Sequence, residues 1–254
     1  MKPERRLSVI IMAAGKGTRM KSDLAKVLHP LSGRAMIHYV IVSAQELNPD
    51  PIIVLVGHQK EQVRAELAGS GVRFAVQEPQ LGTGHAIMCA LPLLDDIQGD
   101  VLILSGDVPL IKSSTLHDLV NHHIKSGAVA TVMSAITENP FGYGRIVRKS
   151  QDSLSAIIEE READDKVKSL NEINSGIYVF NIAALREILP QIKSDNNQKE
   201  YYLTDAVRLL ANSGRLVGAF QGDFGEVMGI NTMAELESAG LQLQNRELHR
   251  WGEV

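Results

Sequence analysis

The run Ser8-Val9-Ile10-Ile11-Met12-Ala13-Ala14, free of charge and closed by Gly15-Lys16-Gly17-Thr18-Arg19-Met20, constrains the fold more than any other stretch. An apolar segment without alternation reads as a strand buried on both faces, as in a parallel sheet. The glycine-rich basic loop at its end reads as an anion site. Gly15 and Gly17 let the backbone turn and approach a ligand, while Lys16, Arg19 and Lys26 supply positive charge. A nucleotide's phosphates are the expected anion. The alternative, for the loop taken alone, is an ordinary strand-to-helix turn with solvated cations. Two better-known phosphate loops do not fit. No glycine stands four residues ahead of a Gly-Lys-Ser/Thr, and Met20 occupies a position where a dinucleotide fingerprint needs glycine.

The pattern then repeats. Met36, Ile37, Val40, Ile41, Ala44 and Leu47 recur at helical spacing, and Asn48-Pro49-Asp50-Pro51 stops that helix. Strands are predicted at 52–56, 72–76, 101–104 and 128–136, with helices around Val63 and Leu67, over 86–94 and over 113–126. Such alternation means βαβ units and an α/β fold: a Rossmann-like, mixed but mainly parallel sheet flanked by helices. Ligands of such sheets bind outside the carboxyl ends of the strands.

Three strand ends are therefore of interest. After the third strand, Gln77 offers a donor and an acceptor to a nucleobase edge, and Gly82 and Gly84 allow close backbone approach; a polar loop before a helix is the alternative. His85, opening that helix, reads as structural. After the fourth strand, Pro109 disfavours helical geometry at Val108, so Asp107 sits in an extended turn where a magnesium ligand belongs. A turn aspartate bonded to its own backbone is the competing reading. His117, His122 and His123 lack the i, i+4 spacing of helical metal sites and read as a solvated helix face.

From Thr137 the strands become shorter, at 145–148, 154–159 and 175–180, which predicts a more antiparallel small lobe over the sheet's open edge. Glu159 ends an apolar strand and can accept hydrogen bonds from sugar hydroxyls, whereas the charged residues that follow it read as a solvated turn. Helices are predicted over 183–192 and 201–212, a strand over 216–220, and a long helix from Asn231 to Trp251. Asn231 reads first as an N-cap, with Thr232 and Glu235 also resembling a capping box, and second as an oxygen ligand. The predicted division is one domain over 1–230, in which the strand pattern changes between 1–136 and 137–230, and a C-terminal helix over 231–254.

Composition narrows the function classes. A net charge of -4 over 254 residues excludes a general nucleic-acid binder, so any phosphate site must be a local concentration of cations. The single cysteine, Cys89, excludes an intramolecular disulfide and reads as a buried thiol in an apolar helix. No apolar run reaches the ~20 residues of a membrane span and the N-terminus lacks a signal-peptide core, so a cytoplasmic location is expected.

Taken together, Ala13 through Met20, Lys26-Val27-Leu28-His29, Gln77 through His85, Gly106 through Leu110 and Gly142-Tyr143-Gly144-Arg145-Ile146 resemble the sugar-nucleotidyltransferases. Asn174-Ser175-Gly176-Ile177, Glu200-Tyr201-Tyr202-Leu203-Thr204-Asp205 and Gly229-Ile230-Asn231 extend the resemblance toward the uridylyltransferase domain of bacterial N-acetylglucosamine-1-phosphate uridylyltransferases. The resemblance implies transfer of UMP from UTP to N-acetylglucosamine 1-phosphate, with Mg²⁺ as cofactor. It also implies roles, with 1–230 a nucleotidyltransferase domain whose residues 1–136 mainly bind nucleotide and 137–230 mainly bind sugar. Arg19, Lys26 and Asp107 match catalytic positions, and Asp107 and Asn231 match metal ligands. Ala14, Gly15, Gln77, Gly82 and Thr83 match the uridine-nucleotide site, and Gly144, Glu159, Asn174, Tyr202 and Thr204 the sugar-phosphate side.

Two departures stand out. Ala25 replaces the family's usual proline before the lysine, which predicts a looser loop with the phosphate contact kept. Many relatives continue into a left-handed β-helix that acetylates and trimerises; without its hexapeptide repeats, neither acetylation nor the trimer is expected. The alternatives are a related enzyme acting on glucose 1-phosphate or another sugar phosphate, and a non-catalytic sugar-nucleotide-binding module.

Overall fold

A computed structural model describes residues 6–15 and 17–252; Lys16, one of the cations of the first loop, lies outside the described residues. The chain runs through β1 (Arg6–Ala13), the short pair β2 (Pro30–Leu31) and β3 (Arg34–Ala35), α1 (Met36–Gln45), β4 (Ile52–Val56), α2 (Lys60–Glu66) and β5 (Arg73–Val76). Next come α3 (Thr83–Ala90), β6 (Gly99–Ser105), α4 (Ser113–Ser126), β7 (Ala130–Ile136), β8 (Arg145–Ser150) and β9 (Ser153–Ile158). Then follow α5 (Asp165–Lys168), β10 (Glu172–Asn181), α6 (Ile182–Ile188), α7 (Thr204–Asn212), β11 (Val217–Gln221), α8 (Phe224–Val227) and α9 (Met233–Gly252).

Nine of these strands form one mixed sheet in the order β11-β7-β10-β6-β1-β4-β5, with the β8–β9 hairpin branching from β10. The strands β6, β1, β4 and β5 are mutually parallel, as the βαβ alternation predicts, and β10 runs antiparallel to both β6 and β7. Leaving β1, the chain builds outward to β4 and β5, then crosses back to place β6 on β1's other side. That reversal opens a crevice at the carboxyl ends of β1 and β6, where a ligand site is expected.

The period-2 alternation of strand side chains explains why unbroken apolar runs are needed. Ile10, Ile53 and Ile103 face one layer, with α3, α6 and α7; Val9, Ile11, Val54 and Leu102 face the other, with α1, α2 and α4. Each such fully buried side chain contributes about 1.5–3 kcal/mol. A third, smaller cluster of Met20, Leu31, Met36, Leu110, Ile230, Leu236 and Ala239 clamps α9 beside the first loop. It brings residues 229–231 next to the turn after β6, where Ile230 N donates to the Asp107 carbonyl at 2.9 Å.

Three expectations change. His123 is fully buried, because it lies four residues beyond Leu119 and seven beyond Leu116 and so shares their apolar face; His117 is exposed and His122 half-buried against the Phe220 ring. Cys89 is half-buried rather than enclosed. The helix expected from residue 201 begins at Thr204, since Tyr201 N donates to Leu81 O, Tyr201 O accepts from Gly84 N, and Leu203 N donates to Thr83 Oγ1, holding 201–203 against α3. Among the described residues no helix is long and apolar enough to cross a membrane.

Candidate active site

The crevice is a cleft of about 540 Å³ lined by residues from the ends of β1, β4 and β6 and from the loop after β5. Its floor is the end of β1, and the loop after β1 forms one wall. Gly17 has φ +60°, and a Cβ there would stand 2.6 Å from Lys26 Cβ. A glycine is therefore required for the loop to bring Lys26 back over the strand end. Lys26 opens a short 3-10 turn, Lys26–Leu28, preceded by Ala25 at φ -53° and ψ 132°. Those angles are the ones a proline would impose, so the loop keeps the backbone form without the ring.

Lys26 Nζ donates to Asp107 Oδ2 and, at 2.6 Å, to Asn231 Oδ1. Arg19 Nη2 donates to the same Asn231 oxygen at 2.6 Å. The Lys26 and Asp107 side chains are 13% and 20% exposed, so the cluster is partly desolvated yet open to the cleft. With two cations to one carboxylate, it is a local positive centre on a chain of net negative charge. Such charge is placed to meet phosphate oxygens.

Asn231 does not cap α9. Thr232 takes that place: its Oγ1 accepts from Glu235 N at 3.2 Å, while Glu235 Oε2 accepts from Asn231 N and Thr232 N at 2.6 and 2.9 Å. This is a capping box, and it leaves the Asn231 side chain free to turn to Asp107. The first reading of Asn231 is thereby corrected. One carboxylate and one amide oxygen already converge on a single ammonium, so the donor set suits a hard, oxygen-seeking cation. Among the described residues no cluster of three or more His, Cys, Asp or Glu forms an all-protein metal cage. Magnesium that shares its coordination with phosphates and water needs none.

Farther along, Ala14, Gly15, Gln77, Gly82 and Thr83 line the same cleft. Gly82 has φ +102°, and a Cβ would press to 2.6 Å from Tyr201 O, so only glycine lets α3 begin against that segment. Gln77 is 5% exposed and donates from Nε2 to Gly82 O at 2.9 Å.

Gly144, Glu159, Asn174, Tyr202 and Thr204 are not among the cleft-lining residues and gather separately. A Cβ on Gly144 would lie 3.5 Å from Glu159 Oε2 and 3.6 Å from Asn174 Cβ, which shows how closely the three meet. Thr204 Oγ1 donates to Glu159 Oε1 at 2.8 Å, Asn174 Nδ2 donates to the Tyr178 hydroxyl at 2.7 Å, and the Tyr202 hydroxyl accepts from Gln198 Nε2 at 2.6 Å. Burial raises the Glu159 pKa above the usual carboxylate range, reinforced by the nearby charges of Asp205 and Glu200 and opposed by the Thr204 hydrogen bond. The Tyr201–Leu203 backbone, bonded to α3, links this cluster to the cleft.

Sequence reasoning missed two cleft residues. Gln80 donates from Nε2 to the Ala14 carbonyl and tucks against Gly57, bracing the β1 end; its only signal was membership of the Gln77-to-His85 loop. Glu200 lines the cleft from a loop remote in sequence; its only signal was membership of the Glu200-to-Asp205 stretch that carries the resemblance.

Comparison with known proteins places the chain among relatives of two kinds, by sequence and by fold. The chain is 49% identical to the bifunctional protein GlmU of Geotalea uraniireducens (strain Rf4), over 94% of this chain and 53% of that protein. It is 44% identical to the bifunctional protein GlmU of Pediococcus pentosaceus, over 94% of this chain and 51% of that protein. The chain thus spans about half the length of the curated relatives it matches. A Bacillus anthracis protein described as a glucose-1-phosphate thymidylyltransferase, crystallised with sucrose, shares the fold at TM-score 0.72 and 17% identity, over 93% of this chain and 94% of that one. A family model described as a MobA-like NTP transferase domain matches residues 9–173, a span that holds most of β1, the glycine-rich loop, Lys26, the Gln77 loop and Asp107. With that span covering well over half of the sequence, the chain belongs to the MobA-like NTP transferase domain family.

Proposed function

We propose that the protein transfers UMP from UTP to N-acetylglucosamine 1-phosphate, giving UDP-N-acetylglucosamine and pyrophosphate. The observation that carries this reading is the convergence of Lys26 on Asp107 and Asn231, with Arg19 on the same amide oxygen, at the mouth of a cleft lined by Gln77 and glycine backbone. The motif resemblance and the 44–49% identity to GlmU proteins support the choice of nucleotide and sugar.

In this reading a phosphate oxygen of the sugar phosphate attacks the α-phosphorus of UTP in line, and the bond to the pyrophosphate oxygen breaks. The chain supplies no nucleophile; positioning and charge do the work. Lys26 and Arg19 meet the negative charge that builds on the α-phosphate and on the departing pyrophosphate. Asp107 and Asn231 would hold Mg²⁺, which when bound supplies further neutralisation of the phosphate oxygens. Ala14, Gly15, Gly82 and Thr83 bring backbone to the nucleotide, and Gln77 meets its base. Glu159, Asn174, Gly144, Thr204 and Tyr202 serve the sugar phosphate, Glu159 as hydrogen-bond acceptor. The division into a nucleotide side over 1–136 and a sugar side over 137–230 follows from these roles, and the reaction's soluble reactants suit a cytoplasmic enzyme.

Pyrophosphate release from UTP and Mg²⁺ tests the proposal, with N-acetylglucosamine 1-phosphate and glucose 1-phosphate in parallel and a chelator control. Metal-dependent release favouring the acetylated sugar is expected. Preference for glucose 1-phosphate would overturn the sugar assignment, and no release with either would leave a binding module.

A further inference from the structure

Gln77 has a single amide group with two protons and one oxygen, and the fold spends the protons internally. Nε2 donates to Gly82 O at 2.9 Å and lies 3.3 Å from His85 Nδ1. A carbonyl oxygen only accepts, so the first contact already decides which end of the amide faces Gly82. The second contact then requires His85 Nδ1 to be an acceptor as well, which puts the ring proton on Nε2. That nitrogen points along α3 to Cys89 Sγ, one turn on at 3.8 Å, a soft acceptor that suits an N–H. Burial keeps the Cys89 thiol protonated by raising its pKa. The imidazole is held laterally by the Tyr201 ring, with centroids 6.4 Å apart. Every contact agrees with one tautomer and one amide orientation.

The consequence lies at the remaining atom. No described residue donates to Gln77 Oε1, and Gln77 lines the cleft. We propose that His85 is a positioning residue for base selection: its Nδ1, together with the Gly82 carbonyl, takes both amide protons of Gln77 and leaves only an acceptor facing the base. The inference rests on the uridine-nucleotide reading above. An acceptor-only glutamine pairs with an N–H at the base edge, as the imide of uracil provides at N3. Cytosine presents a lone pair at that ring position, so it meets Oε1 with repulsion rather than a hydrogen bond. Without the His85 acceptor one amide proton is left unpaired and the Gly82 carbonyl alone holds the amide, so the flip that offers Nε2 to cytosine N3 costs one hydrogen bond instead of two.

KM and kcat measured with UTP and CTP for the wild type, His85→Leu and His85→Asn test this. His85→Leu is expected to raise KM for UTP roughly threefold to tenfold, the range of one lost hydrogen bond, and to erode the preference over CTP by a similar factor, with kcat little changed. Asn Oδ1 can replace the imidazole acceptor, so His85→Asn should restore most of the preference. Nitrogen-15 NMR of the wild type provides a check that needs no variant to fold, and it should report the Nε2–H tautomer. An Nδ1–H tautomer, an unchanged UTP-to-CTP ratio in His85→Leu, or an equal KM rise for both nucleotides would overturn the role of His85 alone. A wild type that uses CTP as well as UTP would instead overturn the uridine reading.

Discussion

Strand β6 carries an aspartate near each end. Asp100, its second residue, is 2% exposed beside His123, whose Nε2 lies 3.4 Å from Asp100 Oδ1 and whose Nδ1 shares a 2.9 Å hydrogen bond with Thr131 Oγ1. Asp107, two residues past the other end, faces Lys26 from an open cleft. The same strand thus presents one acid to a buried polar trio and the other to the cleft of the proposed reaction. At the amino end, α4 and β7 close over the acid with short, stiff side chains that have few rotamers to lose. At the carboxyl end, loops held open by Gly17 and Gly106 bring long cations that can trade a carboxylate for a phosphate. At Gly106 a Cβ would be tight, 3.1 Å from Met12 O.

Asp107→Ala should break the functional end alone. Turnover is expected to fall by about 10²-fold or more, as when a charge-stabilising group is removed, while stability shifts within about 0.5 kcal/mol. Pyrophosphate release and a urea melt on the same preparation check both halves; unchanged turnover would remove Asp107 from the reaction. The mirror experiment is Thr131→Val, which leaves His123 Nδ1 without its partner. It is expected to lower stability by about 1–3 kcal/mol with kcat unchanged. A variant as stable as wild type would mean that the buried trio contributes little.

Glu159 lies between these extremes, half-buried and expected to bind like Asp107, and its effect should be the smallest. Its folded-state pKa is raised by burial above the unfolded value, so the native state holds the proton longer. Stability is therefore lost as pH rises from the ordinary glutamate value of 4.5 through the higher folded one. Glu159→Gln should flatten that part of the profile, read as urea midpoints across mildly acidic to neutral pH. An unchanged slope would assign the pH dependence elsewhere.

Legibility along the chain followed locality. Gly15, Arg19 and Gln77 were readable because each follows an apolar strand, and a parallel strand's end is where a sheet exposes backbone and side chains together. His123 was misread as solvated: it shares the helical spacing of Leu116 and Leu119, but its polar side chain masks that pattern. Glu200 was not readable, because its place in the cleft depends on Tyr201 pairing with α3, a contact spanning more than a hundred residues. The choice between cap and ligand at Asn231 was equally closed to local reading. Thr232 and Glu235 supply the cap, and only the apolar cluster under α9 decides which loop Asn231 then meets.

What the sequence determined by itself was the set of parallel strands, their order of appearance and the residue types waiting at their ends, because hydrophobic periodicity and glycine's conformational range are local properties. What only the tertiary structure decided was which of those ends share a site. The crossing from β5 back to β6 sets Asp107 beside the first loop, and the packing of α9 carries Asn231 to the pair. The physical reason is that burial of apolar surface rewards each element for finding a partner but does not specify, within any one segment, which polar residues will be left facing one another.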